Sequence, residues 1–423
     1  MKNLYIGLGL FLTQILLTFQ GVVYFGKYAS PFLFFGVSFA IALYFLWLSL
    51  QKKDTESSQE AFNPIKSALG ALLGVFSIVL SYEEFRKLLV KFTPPRDYSD
   101  VLPQMETMYQ RFSNGEFPYA SVDMGSWSPY PVYMPLHWMP VGIAQELGMD
   151  TRWIGFIFLA IAAGIYGWFT MRTKRPALQQ VLAILLPSIA LWGYILWGGA
   201  DLPVSFELVV GAYYLVLAAG LMSRDIGWIT AGLILCLLSR YTLVFWLPLF
   251  ALLLWQHRPP RENIPLWLSV AGSIILLYIL PFYAKDPTIF SKGIAYHNQA
   301  VVDEWKGYGE PAVSHTMERG IHFALQLKAW FSGEMVERVY KTRVLQGAVM
   351  LLLLALGWLG WRRWRHRLQY FEYSLLMLYC FILFFYCFGP LTYRYYLLVL
   401  HIISAVLCGR IVLQSRLSVD AGG

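Results

Sequence analysis

Charge is scarce in this chain of 423 residues: Asp, Glu, Lys and Arg together make up 14% of it. An ordinary soluble domain carries about 25%, so the chain has roughly half the charge needed to cover a water-facing surface, and a string of soluble domains is excluded. Cysteine is scarcer still. The 4 cysteines, Cys236, Cys380, Cys387 and Cys408, all lie inside apolar runs and none has C-x-x-C spacing. That excludes a disulfide scaffold and reads as buried, inert thiols rather than a redox or metal site. The nucleotide-binding loops GxxxxGK[ST] and GxGxxG after a strand are missing. So are the HxxxH and HExxH spacings of a metal centre.

What the chain does have is apolar surface: 57% hydrophobic and 17% aromatic residues, with a mean hydropathy of +0.52. This composition reads as an all-α, polytopic integral membrane protein. A spanning helix needs about 20 apolar residues. Such runs fall near 4–26, 31–50, 66–85, 151–171, 177–197, 203–222, 264–283, 343–361, 371–389 and 393–413. Two shorter runs between 227 and 256 are broken by Ser239-Arg240-Tyr241; read as a helical pair meeting at Arg240, they bring the count to about twelve crossings. No A-x-A-type cleavage site follows Met1-Lys2-Asn3 and the first run, which predicts a retained helix rather than a removed signal.

The formal net charge of +8 sits in short clusters between apolar runs, a mark of membrane orientation and not of a nucleic-acid surface. Lys52-Lys53, then Arg172, Lys174 and Arg175, then Arg224, then Arg258 and Arg261, then Arg362, Arg363, Arg365 and Arg367 each follow an even-numbered run. Those loops are predicted to face the cytoplasm of a cell (inner or plasma) membrane, with both termini inside. Two long segments, 86–150 and 284–342, then face outward. Residues 1–65 form an N-terminal helical pair with its loop, and 66–423 the main membrane domain. The two outer segments differ in length and composition, which speaks against an inverted-repeat transporter.

Chemistry is expected in the outer segments. Pro94-Pro95-Arg96-Asp97-Tyr98-Ser99-Asp100 precedes a stretch in which Val101, Met105, Met108 and Phe112 recur at helical spacing, with Gln104, Glu106 and Arg111 on other faces. This predicts an amphipathic surface helix ended by Gly115 and Pro118. Asp97 and Asp100 stand where a spanning helix leaves the bilayer. A carboxylate there can take a proton from an acceptor hydroxyl while a lipid-borne donor lies in the membrane; equally, Ser99 or Asp100 can cap the surface helix. The Pro- and aromatic-rich stretch 126–140 follows, with Tyr133 and His137. In the second segment, Tyr296-His297-Asn298-Gln299, Asp303-Glu304, His315 and His322 are possible substrate contacts, although a lone His is more often structural. Ile321, Leu325 and Lys328, with Phe323, Trp330 and Phe331, suggest a second surface helix.

Ser99-Asp100, a surface helix, Gly115, Pro118-Tyr119 and then Tyr133-x-Pro135 resemble the integral-membrane glycosyltransferases of the GT-C fold, closest to their mannosyltransferase-like group. Val101 stands where that group has an aromatic residue, and Met134 breaks its Pro-Pro pair. The resemblance continues at Gly198-Gly199-Ala200-Asp201, with Gly199 in place of a Gln. It runs on through Ser239-Arg240, where the family carries Lys, and Phe388-Gly389-Pro390-Leu391-Thr392-Tyr393-Arg394-Tyr395-Tyr396. It covers roughly 95–256 and 388–400.

The resemblance implies one-step inverting transfer of a sugar, a mannose-like hexose or a pentose, from a polyprenyl-phosphate donor to a lipid or glycan acceptor. Asp100 would be the base, with Asp97 near it, and Arg240 and Arg394 would sit at the donor phosphate, with Asp201, Tyr133, His137 and His297 as further substrate contacts. Relatives sometimes use a divalent metal, but two Arg at the phosphate make one unnecessary, so no cofactor is expected. Partners are the donor, the acceptor and membrane lipids, with no nucleic acid. The residues leave alternatives open: Asp201 as an N-cap for a helix from Leu202, Arg240 in a structural pair with Asp201 or a loop carbonyl, and Arg394 as an interface anchor. For the whole chain, the alternatives are a transporter or flippase for polyprenyl-linked glycans and a noncatalytic assembly subunit.

Overall fold

The computed structural model describes residues 2–51, 63–92, 99–125, 128–307, 314 and 316–414. Among them every regular element is helical and no strand occurs. In chain order the α-helices are α1 (Lys2–Gln51), α2 (Pro64–Val79), α3 (Tyr82–Lys91), α4 (Val101–Ser113), α5 (Pro135–Trp138), α6 (Val141–Glu146), α7 (Arg152–Thr170), α8 (Ala177–Trp197), α9 (Glu207–Ser223) and α10 (Ile226–Leu237). They continue with α11 (Leu247–His257), α12 (Pro260–Ile274), α13 (Ile289–Lys306), α14 (Ala324–Trp330), α15 (Met335–Trp364), α16 (Tyr370–Cys387) and α17 (Leu397–Gln414). A 3-10 turn, Tyr241–Phe245, lies between α10 and α11, and a π-helical stretch, Ile275–Tyr283, extends α12. Among the described residues, eight helical stretches are long and apolar enough to cross a membrane; α9, α10 and α11 are apolar but shorter.

The first of the eight is a hairpin. Gly26 sits at φ 73, ψ 164 inside α1, a conformation open essentially to glycine alone. The two arms then run antiparallel. Tyr44 Oη donates to Asn3 Oδ1 at 2.9 Å and Gln14 Nε2 to Ser38 Oγ at 2.9 Å, and Gly21 lies against Ser30. Small residues bring other helices together: a Cβ on Gly74 of α2 would fall on the carbonyl of Ala163 in α7, the close approach that glycine permits between membrane helices. The centre of the bundle is α16 and α17, whose most apolar windows are 83% and 94% buried. The helices at Pro260–Tyr283 and Met335–Trp364 are peripheral, at 11% and 17%.

The packing sorts the connections into two ends. Arg224 pairs with Gln369, the His257 ring stacks on Tyr370 at 4.8 Å, and Arg224 and Arg175 both feel the charge of Arg410. The described basic clusters therefore gather at one end. At the other end, the Leu136 N–H donates to the Leu238 carbonyl at 2.8 Å and Phe323 N–H to the Cys387 carbonyl at 2.8 Å. Trp305 Nε1 donates to the Pro390 carbonyl at 2.7 Å, and Lys27 pairs with Glu318 at 2.7 Å. The described parts of segments 99–150 and 284–334 thus share an end with the 26–30 turn, 198–206, 238–245 and 388–396.

Several expectations are corrected. The run at 203–222 becomes a helix only at Glu207, so Asp201 caps nothing from Leu202; the backbone of 200–204 is spent on turns first. Gln104, expected on a different face from Met105 and Met108, is buried with them and Leu102, while Phe112 is exposed. The helix expected near 321–331 is the seven-residue α14, and the long helix of that segment is α13.

Candidate functional site

The candidate site is built where 99–138, 198–207, 238–246 and 386–396 meet. Asp100 occupies the N-cap position of α4, yet its side chain makes no capping bond. The Val101 N–H is taken by Ser99 Oγ at 3.0 Å, and Asp100 Oδ2 accepts from Gln104 Nε2 at 2.8 Å. One turn of helix thus places a buried amide to hold the carboxylate. Burial raises the Asp100 pKa above the ordinary carboxylate value, against the hydrogen bonds that lower it. The carboxylate lies close enough to Tyr133 that, after burial, it is the largest influence raising that phenol's pKa; Tyr396, Arg240 and Glu207 act on the same hydroxyl.

Tyr133 is positioned by its backbone, whose carbonyl accepts from Tyr119 Oη at 3.0 Å. Its ring meets His137 edge-on at 5.2 Å. His137 is buried and its Nδ1 lies 3.2 Å from the Ser239 carbonyl. A carbonyl only accepts, so Nδ1 carries the proton and Nε2, which has no partner, keeps its lone pair. Burial and the neighbouring Arg240 hold this imidazole neutral.

Arg240 projects from the break between α10 and the 3-10 turn, where its backbone is extended (φ −145, ψ 149). Its guanidinium pairs with Glu207, lies 4.2 Å over the Tyr396 ring and reaches Tyr386 Oη at 3.5 Å. Neither Asp201 nor a loop carbonyl is its partner. Glu207 is absent from the candidates read off the sequence. Its signal there was a lone carboxylate opening an apolar run, Phe206-Glu207-Leu208-Val209, the kind of residue that needs a partner in a membrane.

Asp201 instead takes Arg394, with Oδ2 at 3.0 Å from Nε, and Arg319, whose Nη1 is 3.5 Å from Oδ1. Burial raises its pKa while the two guanidiniums oppose the rise. Arg394 also lies 5.7 Å over Phe19 of the hairpin, and its carbonyl accepts from Tyr194 Oη at 2.9 Å. Arg319 carries no sequence signal: it ends a 3-10 turn, Met317–Arg319, 118 residues from Asp201.

The structure therefore brings together Asp100, Tyr133, His137 and Arg240, and sets Asp201 with Arg394 beside them. His297 is not part of this group; it lies on α13, where burial and Arg343 lower its pKa to about 4. His322 is structural, buried, with Nδ1 accepting from the Ala324 N–H at 3.2 Å and Nε2 near the Thr316 carbonyl at 3.3 Å. Asp97 and His315 lie outside the described residues. Among the described residues no three His, Cys, Asp or Glu side chains converge as a metal site.

Comparisons with family models, with curated proteins and with solved structures find no match to this chain.

Proposed function

We propose that this protein is a GT-C-type glycosyltransferase of the cell membrane, moving a sugar from a polyprenyl-phosphate donor to a lipid or glycan acceptor on the extracytoplasmic face with inversion. The observation that carries the reading is Asp100: a half-buried carboxylate, freed from capping, held by Gln104 next to Tyr133 and the Arg240 cluster. A carboxylate so placed can accept the acceptor's hydroxyl proton as the new glycosidic bond forms. Arg394, with Arg319 beside it, is suited to steady the charge on the departing phosphate. The closed pair Arg240–Glu207 shapes the floor and sets the field there. His137 Nε2 offers a hydrogen-bond acceptor to a sugar hydroxyl.

In this reading about twelve crossings result when the first long stretch counts as two arms and the three shorter apolar helices are added. The basic end faces the cytoplasm with both termini, and the surface helices lie in the outer loops. Depth supports a lipid-borne donor. The twelve residues of α10 reach about 18 Å of a hydrocarbon core roughly 30 Å thick, which sets Arg240 beneath the outer boundary. A transporter of lipid-linked glycans would share these cations but need no base. The deciding experiment is transfer of labelled sugar from a panel of polyprenyl-phosphate donors by purified protein in nanodiscs, with Asp100→Asn as control. Efficient flipping without transfer would replace this reading with the transporter one.

A further inference from the structure

The cations of the candidate site are already matched to carboxylates: Arg240 to Glu207, Arg394 to Asp201. Arg343 is different. It stands eight residues into α15, about 12 Å from that helix's start, and its Nε and Nη2 atoms are buried without a hydrogen-bond partner. Val339 and Thr342 beside it face the protein, while Tyr340 and Val344 face outward. The guanidinium therefore lies at the seam between bundle and bilayer.

Two packed neighbours locate that seam. Gln346, one turn on, donates to the Phe385 carbonyl at 2.8 Å. The Phe385 ring lies 5.6 Å from Phe245 in the 3-10 turn that follows Arg240. Across the seam, α13 packs on α15, and Phe290 of α13 meets Tyr241 of the same turn at 5.3 Å. His297 of α13 feels the Arg343 charge, and the next residue, Asn298, has a buried Oδ1 with no partner. The flank is lined by partly exposed apolar side chains: Tyr241, Val244, Phe245, Phe290 and Ile294. A guanidinium in a membrane-level helix is costly unless an anion answers it, and its planar fork matches two oxygens of a phosphate.

We propose that Arg343, with His297 of α13 near it, is an oxyanion-binding position on the flank between α13 and α15 that takes the phosphate of a lipid-borne prenyl phosphate whose chain lies along this apolar flank. This names where the donor of the proposed transferase enters, and rests on that reading only for the donor's identity. His297 is neutral, so one ring N–H can donate to phosphate while Arg343 supplies the charge.

The test is titration of the full chain in lipid nanodiscs with farnesyl phosphate, farnesol or inorganic phosphate, read by tryptophan fluorescence and thermal unfolding. Farnesyl phosphate should bind, and Arg343→Gln should weaken it by about 10-fold or more, the order expected when a charge-assisted fork is lost. Arg343→Lys should fall between, since the ammonium keeps the charge and loses the planar geometry. Without ligand, Arg343→Gln should unfold no lower than wild type, and it should lose the ligand-induced rise. Displacement of farnesyl phosphate only by lipid phosphates identifies a headgroup site; displacement by millimolar inorganic phosphate identifies a site for free phosphate as well, and both uphold the oxyanion position. Equal affinity of wild type and Arg343→Gln for farnesyl phosphate overturns it, as does farnesol binding as tightly as its phosphate. A lower ligand-free melting temperature of Arg343→Gln also overturns it, since that would place Arg343's partner inside the protein. Sugar transfer is not read in this titration, so failure of the transferase reading would show separately, as phosphate binding without transfer.

Discussion

At the scale of single residues, Asp100 separates chemistry from architecture. Its side chain makes no cap, so Asp100→Asn should leave the melting temperature near that of wild type, because Asn can still accept from Gln104. Transfer should fall by about 10²–10⁴-fold, the usual span of a general-base contribution. The pH profile carries the same signature. Burial raises this carboxyl's pKa, and the base form is the charged one, so activity should rise with pH through an inflection above the ordinary carboxylate value. That limb should vanish in Asp100→Asn. The same shift gives a stability sign: the buried charge costs the fold free energy above the raised pKa, and that cost disappears on acidification through it. Wild-type activity in Asp100→Asn would remove the base from the mechanism.

Glu207 is the complementary case. It is buried against Arg240, and removing one member of such a pair leaves a buried charge unanswered, which costs about 3–5 kcal/mol. Glu207→Gln should therefore lower the melting temperature strongly, and Glu207→Gln combined with Arg240→Met should recover much of the loss. If Glu207→Gln melts like wild type, the pair is not the anchor of this floor.

At the scale of elements, the N-terminal hairpin gains a role that its sequence did not suggest. Its turn grips the loop that presents Arg319: Lys27 pairs with Glu318 at 2.7 Å, the Ser30 hydroxyl donates to the Gly320 carbonyl at 2.9 Å, and Gln326 reaches the Tyr28 carbonyl at 3.0 Å. Lys27 and Ser30 are thus positioning residues for Arg319 beside Asp201. The Lys27–Glu318 pair is partly exposed and screened by solvent, so it adds little to stability by itself. Lys27→Ala with Ser30→Ala should raise the donor KM several-fold with little change in kcat or melting temperature, and an unchanged KM would confine the hairpin to packing. Gly74→Leu tests a packing element instead: with α2 pushed off the Ala163 carbonyl, thermal stability should drop by roughly 1–3 kcal/mol, as for overpacked cores.

At the scale of the whole molecule, the sorting of loops to two ends makes a sidedness prediction. All four native cysteines are buried, so labelling backgrounds are low. Ser332→Cys should react with a membrane-impermeant thiol reagent in intact cells, and His366→Cys only after permeabilisation. The opposite pattern would turn the proposed site to the cytoplasm.

The sequence by itself determined the solvent of this protein and the spacing of its apolar runs, because hydropathy and helix length are local quantities. It located the break at Arg240 for the same reason, since a cation and polar neighbours interrupt any apolar run. Asp100, Tyr133, His137 and Arg394 are expected together only from the family resemblance of their motifs, not from any local pattern. The tertiary structure alone decided the partners. Arg240 closes on Glu207 and not on Asp201, because α9 begins five residues after Leu202 and turns Glu207 inward. Asp201 takes a guanidinium from a loop 118 residues away, and His297 goes to Arg343's side of the bundle instead of joining Asp100. A buried charge must find an opposite one, but which one depends on the crossing of helices distant in sequence, and local periodicity carries no information about that.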